Sequence, residues 1–306
     1  ADLVVWYHLG WMAETVRRVD DRVQALMDQG RGYRLKDRRT LLTLINELLW
    51  SIIPRYRALA EQGKVELAMS PYAHPIAPLL LDLQSAREAW PDAPMPAAQA
   101  YPGGEARSRY HLEEGRALFQ RLFGIEPTGC WPSEGSISDA TLAQLDAMGF
   151  RWAASGESVL RNSLARAESA QHHDTGYQQP LNRPYRLAGG KLASFFRDDG
   201  LSDLIGFTYG EWHADDAVAN LVHHLENIDE SGRQDGPRSV SIILDGENAW
   251  EYYPKNGYYF LGALYRKLAE HPRIKLCTFS EVLDEGVVEP GTLPGVVAGS
   301  WVDRKS

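Results

Sequence analysis

Short, continuously apolar runs alternate along the chain with longer segments in which apolar residues recur at helical spacing. The short runs predict seven strands, at residues 3–7, 65–69, 128–131, 151–155, 192–196, 240–244 and 274–279. The longer segments predict helices at residues 13–29, 36–62, 107–123, 138–148, 215–227 and 258–270. Residues 156–188 are polar and follow neither period, so we interpret them as a long loop over the strand ends.

This alternation predicts βαβ units and an α/β fold around a parallel sheet. Seven strands fit a barrel, and a doubly wound open sheet is the alternative, but no glycine-rich nucleotide loop follows any strand. We predict one barrel domain over residues 1–288 and a Pro- and Gly-punctuated loop over residues 289–306 that leads to a missing segment. The chain begins inside its first predicted strand and stops just after residues 300–302, where an apolar segment begins, so both of its ends are expected to be truncated.

Composition narrows the function classes. The chain has 306 residues, 44% of them hydrophobic, which suffices for one large core. Its net charge of −9 argues against a nucleic-acid partner, because phosphate binding needs a basic surface. No apolar run approaches the roughly 18 residues of a membrane span, and no signal peptide is visible, so we expect no membrane partner and a cytoplasmic location. Cys130 and Cys277 lie in apolar runs outside any CxxC pair, which predicts buried thiols and no zinc cage.

The strongest chemical signal is a run of charges directly behind a buried strand. Residues 192–196 are followed by Arg197, Asp198 and Asp199, and Asp203 comes shortly afterwards. Active sites of parallel α/β barrels lie at the carboxyl ends of the strands. A solvated ion pair is the alternative, but clustered carboxylates at such a place are costly without a function.

Two other strand ends carry candidate residues. His74 follows the strand at 65–69 in a Pro-bounded turn, where it could bind a substrate hydroxyl or merely a backbone carbonyl. Glu134 follows the strand at 128–131, between small residues that leave room for a substrate; alternatively it complements a helix dipole. Two carboxylates that converge on one cleft are the minimum for cleavage of a glycosidic bond.

The strand at 240–244 ends in a fourth dense motif, with Asp245, Gly246, Glu247 and Trp250. Gly246 allows close approach of the backbone to a ligand. The two carboxylates could accept hydrogen bonds from sugar hydroxyls while the indole stacks on a ring. A metal or salt-bridge cluster is the alternative.

Taken together, these segments resemble glycoside hydrolase family 57, whose members act mainly on α-glucans. The resemblance covers most of residues 3–283 and rests on four motifs in order, at residues 66–75, 131–134, 196–203 and 244–250. It implies a distorted (β/α)7 barrel that could lack its first strand element, because the family's His-Gln-Pro element is absent. It also implies a retaining double displacement without a redox cofactor, in an amylase, amylopullulanase, branching enzyme or 4-α-glucanotransferase.

The resemblance also assigns roles to residues. Glu134 would be the nucleophile and Asp198 the acid/base, with Asp199 as its rival. The remaining candidates would bind the α-glucan near the cleavage point: His74, Trp131, Arg197, Asp199, Asp203, Asp245, Glu247 and Trp250.

Two other functions stay open at this point. A metal-dependent polysaccharide deacetylase would need an aspartate and two histidines at metal-ligand spacing, for which His172–His173 and His223–His224 are the weak candidates. The other is a non-catalytic barrel that binds glucan through its aromatic side chains.

Overall fold

The computed structural model describes residues 2–171, 181–231, 236–246 and 250–302. Its strands are β1 (Gly129–Cys130), β2 (Trp152–Ser155), β3 (Tyr185–Leu187), β4 (Ala193–Phe196) and β5 (Gly291–Leu293). Its α-helices are α1 (Asp2–Trp11), α2 (Glu14–Val19), α3 (Asp21–Gln29), α4 (Leu35–Glu61), α5 (Ala77–Leu81), α6 (Ser85–Ala89), α7 (Gly104–Phe123), α8 (Asp139–Ala147), α9 (Glu157–Gln171), α10 (Asp199–Asp203), α11 (Ala214–Ser231), α12 (Tyr258–Ala269) and α13 (Phe279–Glu285). Among the described helices, none combines the length and hydropathy that a membrane span needs.

The chain divides into two compact units, each with its own packing. The first consists of Ala1–Ala58, Asp203–His224 and Leu244–Leu276. Its helices α1, α3 and α4 pack through a cluster that includes Val5, Leu9, Val23 and Leu44. The second consists of Leu59–Ser202, Leu225–Ile243 and Cys277–Ser306, and it contains the whole sheet.

The sheet has five strands in the order β1-β2-β4-β3-β5. Strands β1, β2 and β4 are parallel, whereas β3 runs antiparallel to β4 and parallel to β5. Single parallel bridges add Met69 beside Cys130 and Ser241 beside Arg197. Of the predicted strands, those at 128–131, 151–155 and 192–196 form β1, β2 and β4 in parallel, as the α/β prediction requires. The predicted strands at 65–69 and 240–244 join them in parallel through one bridge each and are not regular strands. The α/β class with a parallel sheet is confirmed.

Both faces of the central strands are buried, which explains why their side chains are apolar or small. Alternate residues face two clusters: Ala153 and Phe196 lie in one, and Trp152, Ala154 and Phe195 lie in the other. Phe279 of α13 covers the second cluster, with its ring stacked 4.1 Å from the ring of Phe195.

Two strand predictions are wrong. Residues 3–7 belong to α1, where Val5 and Leu9 are buried and Tyr7 is exposed, so the run follows a helical period. Residues 274–279 form no strand. Instead, Thr278 makes a capping box with Glu281 that starts α13, because short polar side chains compete effectively for backbone groups at a helix terminus.

The two cysteines differ in exposure. Cys130 is buried as predicted, whereas Cys277 is exposed, because it lies in the segment that does not join the sheet. The prediction of two buried thiols is therefore wrong for Cys277.

The interpretation of residues 156–188 as a loop is also wrong over most of its described part. Residues 157–171 form α9, in which Val159, Leu160 and Ser163 are buried. Tyr185–Leu187 forms β3, and residues 172–180 lie outside the described residues. Polar residues on the outer face of α9 conceal the helical period in the sequence.

The predicted loop over 289–306 contains a strand as well. Gly291–Leu293 forms β5 beside β3, and Val296, Val297 and Ala298 are buried. Such a short strand exists only through pairing with a distant segment, which local propensity does not reveal. The domain boundary at residue 288 stays a prediction.

Other predictions are confirmed. The long helix predicted at 36–62 is α4, and the helix predicted from Ser138 is α8. The Ser138 side chain accepts a hydrogen bond from the backbone N–H of Thr141, as an N-cap does.

Candidate functional site

Glu134 lies in a tight turn directly after β1. The turn, Ser133–Gly135, places Glu134 in the left-handed region with φ of 55°. Gly135 also has positive φ, and the ring of Trp131 leaves no room for a Cβ there. The Ser155 hydroxyl at the end of β2 donates to the Gly135 carbonyl at 2.6 Å. Backbone strain of this kind persists only where the surroundings impose it, and it is typical of functional sites.

His74 approaches Glu134 from the turn that follows Met69, whose backbone forms a single bridge to β1. Its Nε2 lies 2.9 Å from Glu134 Oε1. His74 itself has a φ of 56°, so both members of the pair occupy left-handed backbone. The two side chains remain 54% and 41% exposed, which leaves them accessible to a substrate. The structure thus brings together two of the residues that the sequence motifs single out.

Trp301 is the second partner of Glu134, and the sequence motifs missed it. Its indole Nε1–H donates to Glu134 Oε2 at 2.9 Å, and its backbone N–H donates to the Glu134 carbonyl at 3.1 Å. Its ring meets the ring of Trp131 edge to face, with centroids 5.2 Å apart. An aromatic residue in the apolar segment that follows the β5 region was the signal available in the sequence.

Arg197 occupies the end of β4 and is 8% exposed. Its Nε–H donates to the Ile243 carbonyl at 2.9 Å, and its Nη1 lies 2.7 Å from Asp199 Oδ1. The guanidinium carbon also lies 5.6 Å from the centroid of the Trp301 ring. The ion pair considered as an alternative therefore exists, but its guanidinium is buried and adjoins the ring that contacts Glu134.

Asp198 is held by two elements. Its N–H donates to the Ser241 carbonyl at 2.8 Å, which extends the parallel sheet by one bridge. Its Oδ1 accepts the N–H of Leu201 at 2.9 Å in the first turn of α10. This geometry fixes the carboxylate at the carboxyl end of β4, where barrel chemistry is expected.

Glu157 is a second residue that the sequence analysis missed, because the loop interpretation covered it. It begins α9 directly after β2, and its Oε2 accepts the N–H of Asp199 at 3.2 Å. Burial raises the pKa of Glu157, and the negative charges of Asp199 and Asp198 add to the increase. The available signal was its position: like Glu134 and Asp198, Glu157 follows the end of a strand.

Three predicted site residues belong to the first unit. Asp203 is exposed at the end of α10, and Asp245 is half-buried in an extended segment. Trp250 packs against Tyr253 and Phe260 with ring centroids 5.4 and 6.2 Å away. Glu247, the remaining predicted binding residue, lies outside the described residues.

Ligands for a metal do not assemble in the part of the chain that the structure describes. Across residues 2–171, 181–231, 236–246 and 250–302, no group of three or more His, Cys, Asp or Glu side chains is placed to hold an ion. His223 and His224 are neighbours on α11 with rings 6.4 Å apart, and His172–His173 lie outside the described residues. The described residues therefore give the deacetylase hypothesis no support.

Comparison with protein families gives one match that spans most of the chain. The model of Glycosyl hydrolase family 57 matches residues 21–293. Among curated protein sequences, none matches the chain significantly.

Solved structures share the fold at low sequence identity. A GH57-type branching enzyme from Pyrococcus horikoshii matches with a TM-score of 0.63 and 18% identity, over 98% of this chain and 59% of its own. The α-amylase AmyC from Thermotoga maritima matches with a TM-score of 0.63 and 13% identity, over 98% and 62%. A 4-α-glucanotransferase from Thermococcus litoralis matches with a TM-score of 0.55 and 17% identity, over 83% and 34%. The chain thus spans about three fifths of the length of the first two proteins and about one third of the length of the last.

Proposed function

Because the chain belongs to glycosyl hydrolase family 57, we propose that it cleaves or transfers α-1,4-linked glucan through a covalent intermediate on Glu134. The observation that carries the proposal is the Glu134 carboxylate itself. It lies at the carboxyl end of β1, with His74 on one oxygen and the Trp301 indole on the other. A carboxylate that is fixed at both oxygens and still 41% exposed is suited to attack a bound sugar.

The proposed reaction is a double displacement. Glu134 attacks the anomeric carbon, and the glycosidic bond breaks as the acid/base protonates the departing oxygen. The same acid/base then removes a proton from water or from a sugar hydroxyl, whose oxygen displaces Glu134 from the anomeric carbon. The configuration at that carbon is inverted twice and therefore retained.

Asp198 is the better candidate for the acid/base. Asp199 is engaged by the buried Arg197 guanidinium at 2.7 Å, and its N–H is bound by Glu157. Only one carboxylate oxygen of Asp198, Oδ1, caps α10, and the other oxygen is the one proposed to carry the proton. We therefore assign proton transfer to Asp198 and the positioning of Arg197 to Asp199.

The remaining predicted residues are proposed to bind the glucan. Arg197 and His74 would donate hydrogen bonds to hydroxyls, and Trp131 would offer an apolar ring face beside the nucleophile. Asp203, Asp245, Glu247 and Trp250 are proposed as further sugar contacts on the resemblance of their motifs alone.

Hydrolysis and transfer share the same intermediate, so the matched branching enzyme, amylase and glucanotransferase leave both outcomes open. The test is incubation with maltoheptaose, followed by chromatography of the products. Only shorter products would indicate hydrolysis, whereas a ladder above and below the starting length would indicate transfer.

The controls are Glu134→Gln and Glu113→Gln, an exposed glutamate on α7. Glu113→Gln should turn over substrate like the unmodified chain, and folded Glu134→Gln should not. Turnover by Glu134→Gln would contradict the proposal.

A further inference from the structure

Trp301 and the residues before it make several backbone contacts besides the hydrogen bonds to Glu134. The Trp301 Cα packs so closely on Gly156 that a Cβ at that glycine would lie 2.8 Å from it. Two residues earlier, Gly299 and Ile137 exchange backbone hydrogen bonds of 2.9 and 3.1 Å. The Val297 N–H donates to the buried Ser163 hydroxyl at 2.8 Å. The segment that carries Trp301 is therefore anchored to Ile137, which follows the Glu134 turn, and to the start of α9.

The ring of Trp301 is equally constrained. The Trp131 ring contacts it edge to face, and the Arg197 guanidinium lies over it at 5.6 Å. With backbone and ring both held, the indole N–H has one direction available to it, toward Glu134 Oε2.

We propose that Trp301 is a positioning residue for the nucleophile: its indole N–H holds the Glu134 carboxylate in the orientation for attack. This inference rests on the proposed function, in which Glu134 is the nucleophile. An indole is a donor that carries no charge, so it fixes a carboxylate oxygen without neutralising the nucleophile. A hydrogen bond to the ionised form also favours that form over the protonated one. His74 restrains the other oxygen, and together the two donors leave the carboxylate little freedom to rotate.

The decisive variant is Trp301→Phe, which keeps an aromatic ring and removes the N–H. We expect kcat on maltoheptaose to fall roughly 10- to 100-fold, as for the loss of a hydrogen bond to a charged group, with KM changed by less than about threefold. The acidic limb of the pH profile of kcat/KM should move to higher pH, because ionised Glu134 loses a donor. His74 and Arg197 are unchanged in this variant, so the shift reports the loss of the indole donor.

Two matched variants complete the experiment. Trp301→His retains a ring N–H and should recover part of kcat. Trp50→Phe removes an indole N–H that donates to Asn46 Oδ1 at 3.1 Å on the exposed face of α4, and it should change nothing.

The outcomes separate this inference from the proposed function. An inactive Glu134→Gln together with a fully active Trp301→Phe would overturn the positioning role alone. A rise in KM at constant kcat would also overturn it, because Trp301 would then bind substrate. An active Glu134→Gln would overturn both proposals.

If Trp301→Phe does not fold, the contact can be examined in a chain labelled with 15N-tryptophan. Of the nine indole N–H resonances, one should shift strongly in Glu134→Ala. The absence of any such shift would overturn the inference.

Discussion

Glu66 and Glu134 are two glutamates that each accept an indole N–H, yet their surroundings differ. Glu66 accepts from Trp152 at 2.8 Å, and Glu134 accepts from Trp301 at 2.9 Å. Thr128 precedes β1 and Trp152 begins β2, so the Glu66 cluster lies at the amino end of the parallel strands. Glu134 lies at their carboxyl end.

The Glu66 carboxylate is saturated. Besides Trp152, it accepts from the Thr128 hydroxyl at 2.6 Å, the Ser280 N–H at 3.0 Å and the Ser280 hydroxyl. Burial by itself would raise the pKa of Glu66, but the hydrogen bonds from Ser280, Thr128 and Trp152 outweigh it, and the pKa is lowered. Such a fully bonded carboxylate ties four segments of chain together.

The Glu134 carboxylate, although held by two donors, stays accessible to a substrate. It remains 41% exposed and sits on left-handed backbone. The same side chain with the same kind of donor is thus structural where donors surround it, and available for chemistry where a face is left open.

The largest expected effect distinguishes the two glutamates by activity. Glu134→Gln should lower turnover of maltoheptaose at least ~1,000-fold, because an amide cannot form the glycosyl intermediate. Glu66→Gln should keep most of the activity of whatever fraction remains folded. The measurement is the initial rate of each variant, normalised to the concentration of folded protein. Equal losses of activity in the two variants would show that Glu134 and Glu66 do not differ in their roles.

A second test separates Asp198 from Asp199. Asp198→Asn should slow cleavage of maltoheptaose about 100- to 10,000-fold, because the leaving oxygen loses its proton donor. Asp199→Asn keeps an acceptor for Arg197 and should cost about tenfold or less.

The control for this pair is an aryl maltoside with an acidic phenol, which departs without protonation. In burst-phase kinetics with this substrate, Asp198→Asn should form the glycosyl intermediate on Glu134 at a nearly normal rate. The reverse ranking of the two variants would assign the acid/base to Asp199.

The third prediction concerns stability. Glu66→Gln should lower the free energy of unfolding by about 1–3 kcal/mol, because an amide cannot accept from all the donors that surround Glu66. Chemical denaturation measures the change, with the exposed Glu113→Gln as the control. A loss no larger than that of the control would show that the cluster contributes little.

The contribution of Glu66 should depend on pH in a defined direction. Because its folded-state pKa is lowered, its contribution is present above the unfolded pKa of about 4.3 and is lost as the pH falls through the folded pKa. The difference in unfolding free energy between the unmodified chain and Glu66→Gln should therefore shrink on going from neutral pH to acid. A difference that grows on acidification would contradict the assignment.

The smallest effect should come from Glu157, and with the opposite sign. Its raised pKa means that its contribution to stability is present below the unfolded pKa and is lost as the pH rises through the folded pKa. Glu157→Gln keeps an acceptor for the Asp199 N–H and should stabilise the chain at neutral pH, by less than about 1 kcal/mol. Thermal unfolding at neutral and acidic pH measures this, and stabilisation at acidic pH alone would refute it.

Local sequence determined several features. The short runs at 128–131, 151–155 and 192–196 predict β1, β2 and β4, because strands buried on both faces favour apolar and small residues. Ser138 predicts the start of α8, because a cap is a contact between near neighbours. The charged residues that follow these strands indicated Glu134, Asp198 and Arg197 as candidates.

Tertiary structure alone decided the rest. The run at 3–7 packs as a helix because its buried residues meet α3 and α4, and β5 forms because β3 offers it a partner. Trp301 lies 167 residues from Glu134 along the chain, and their hydrogen bond depends on how the sheet and the final segment fold together. Periodicity reports which face of an element is buried, whereas a contact between distant segments depends on the packing of the whole unit.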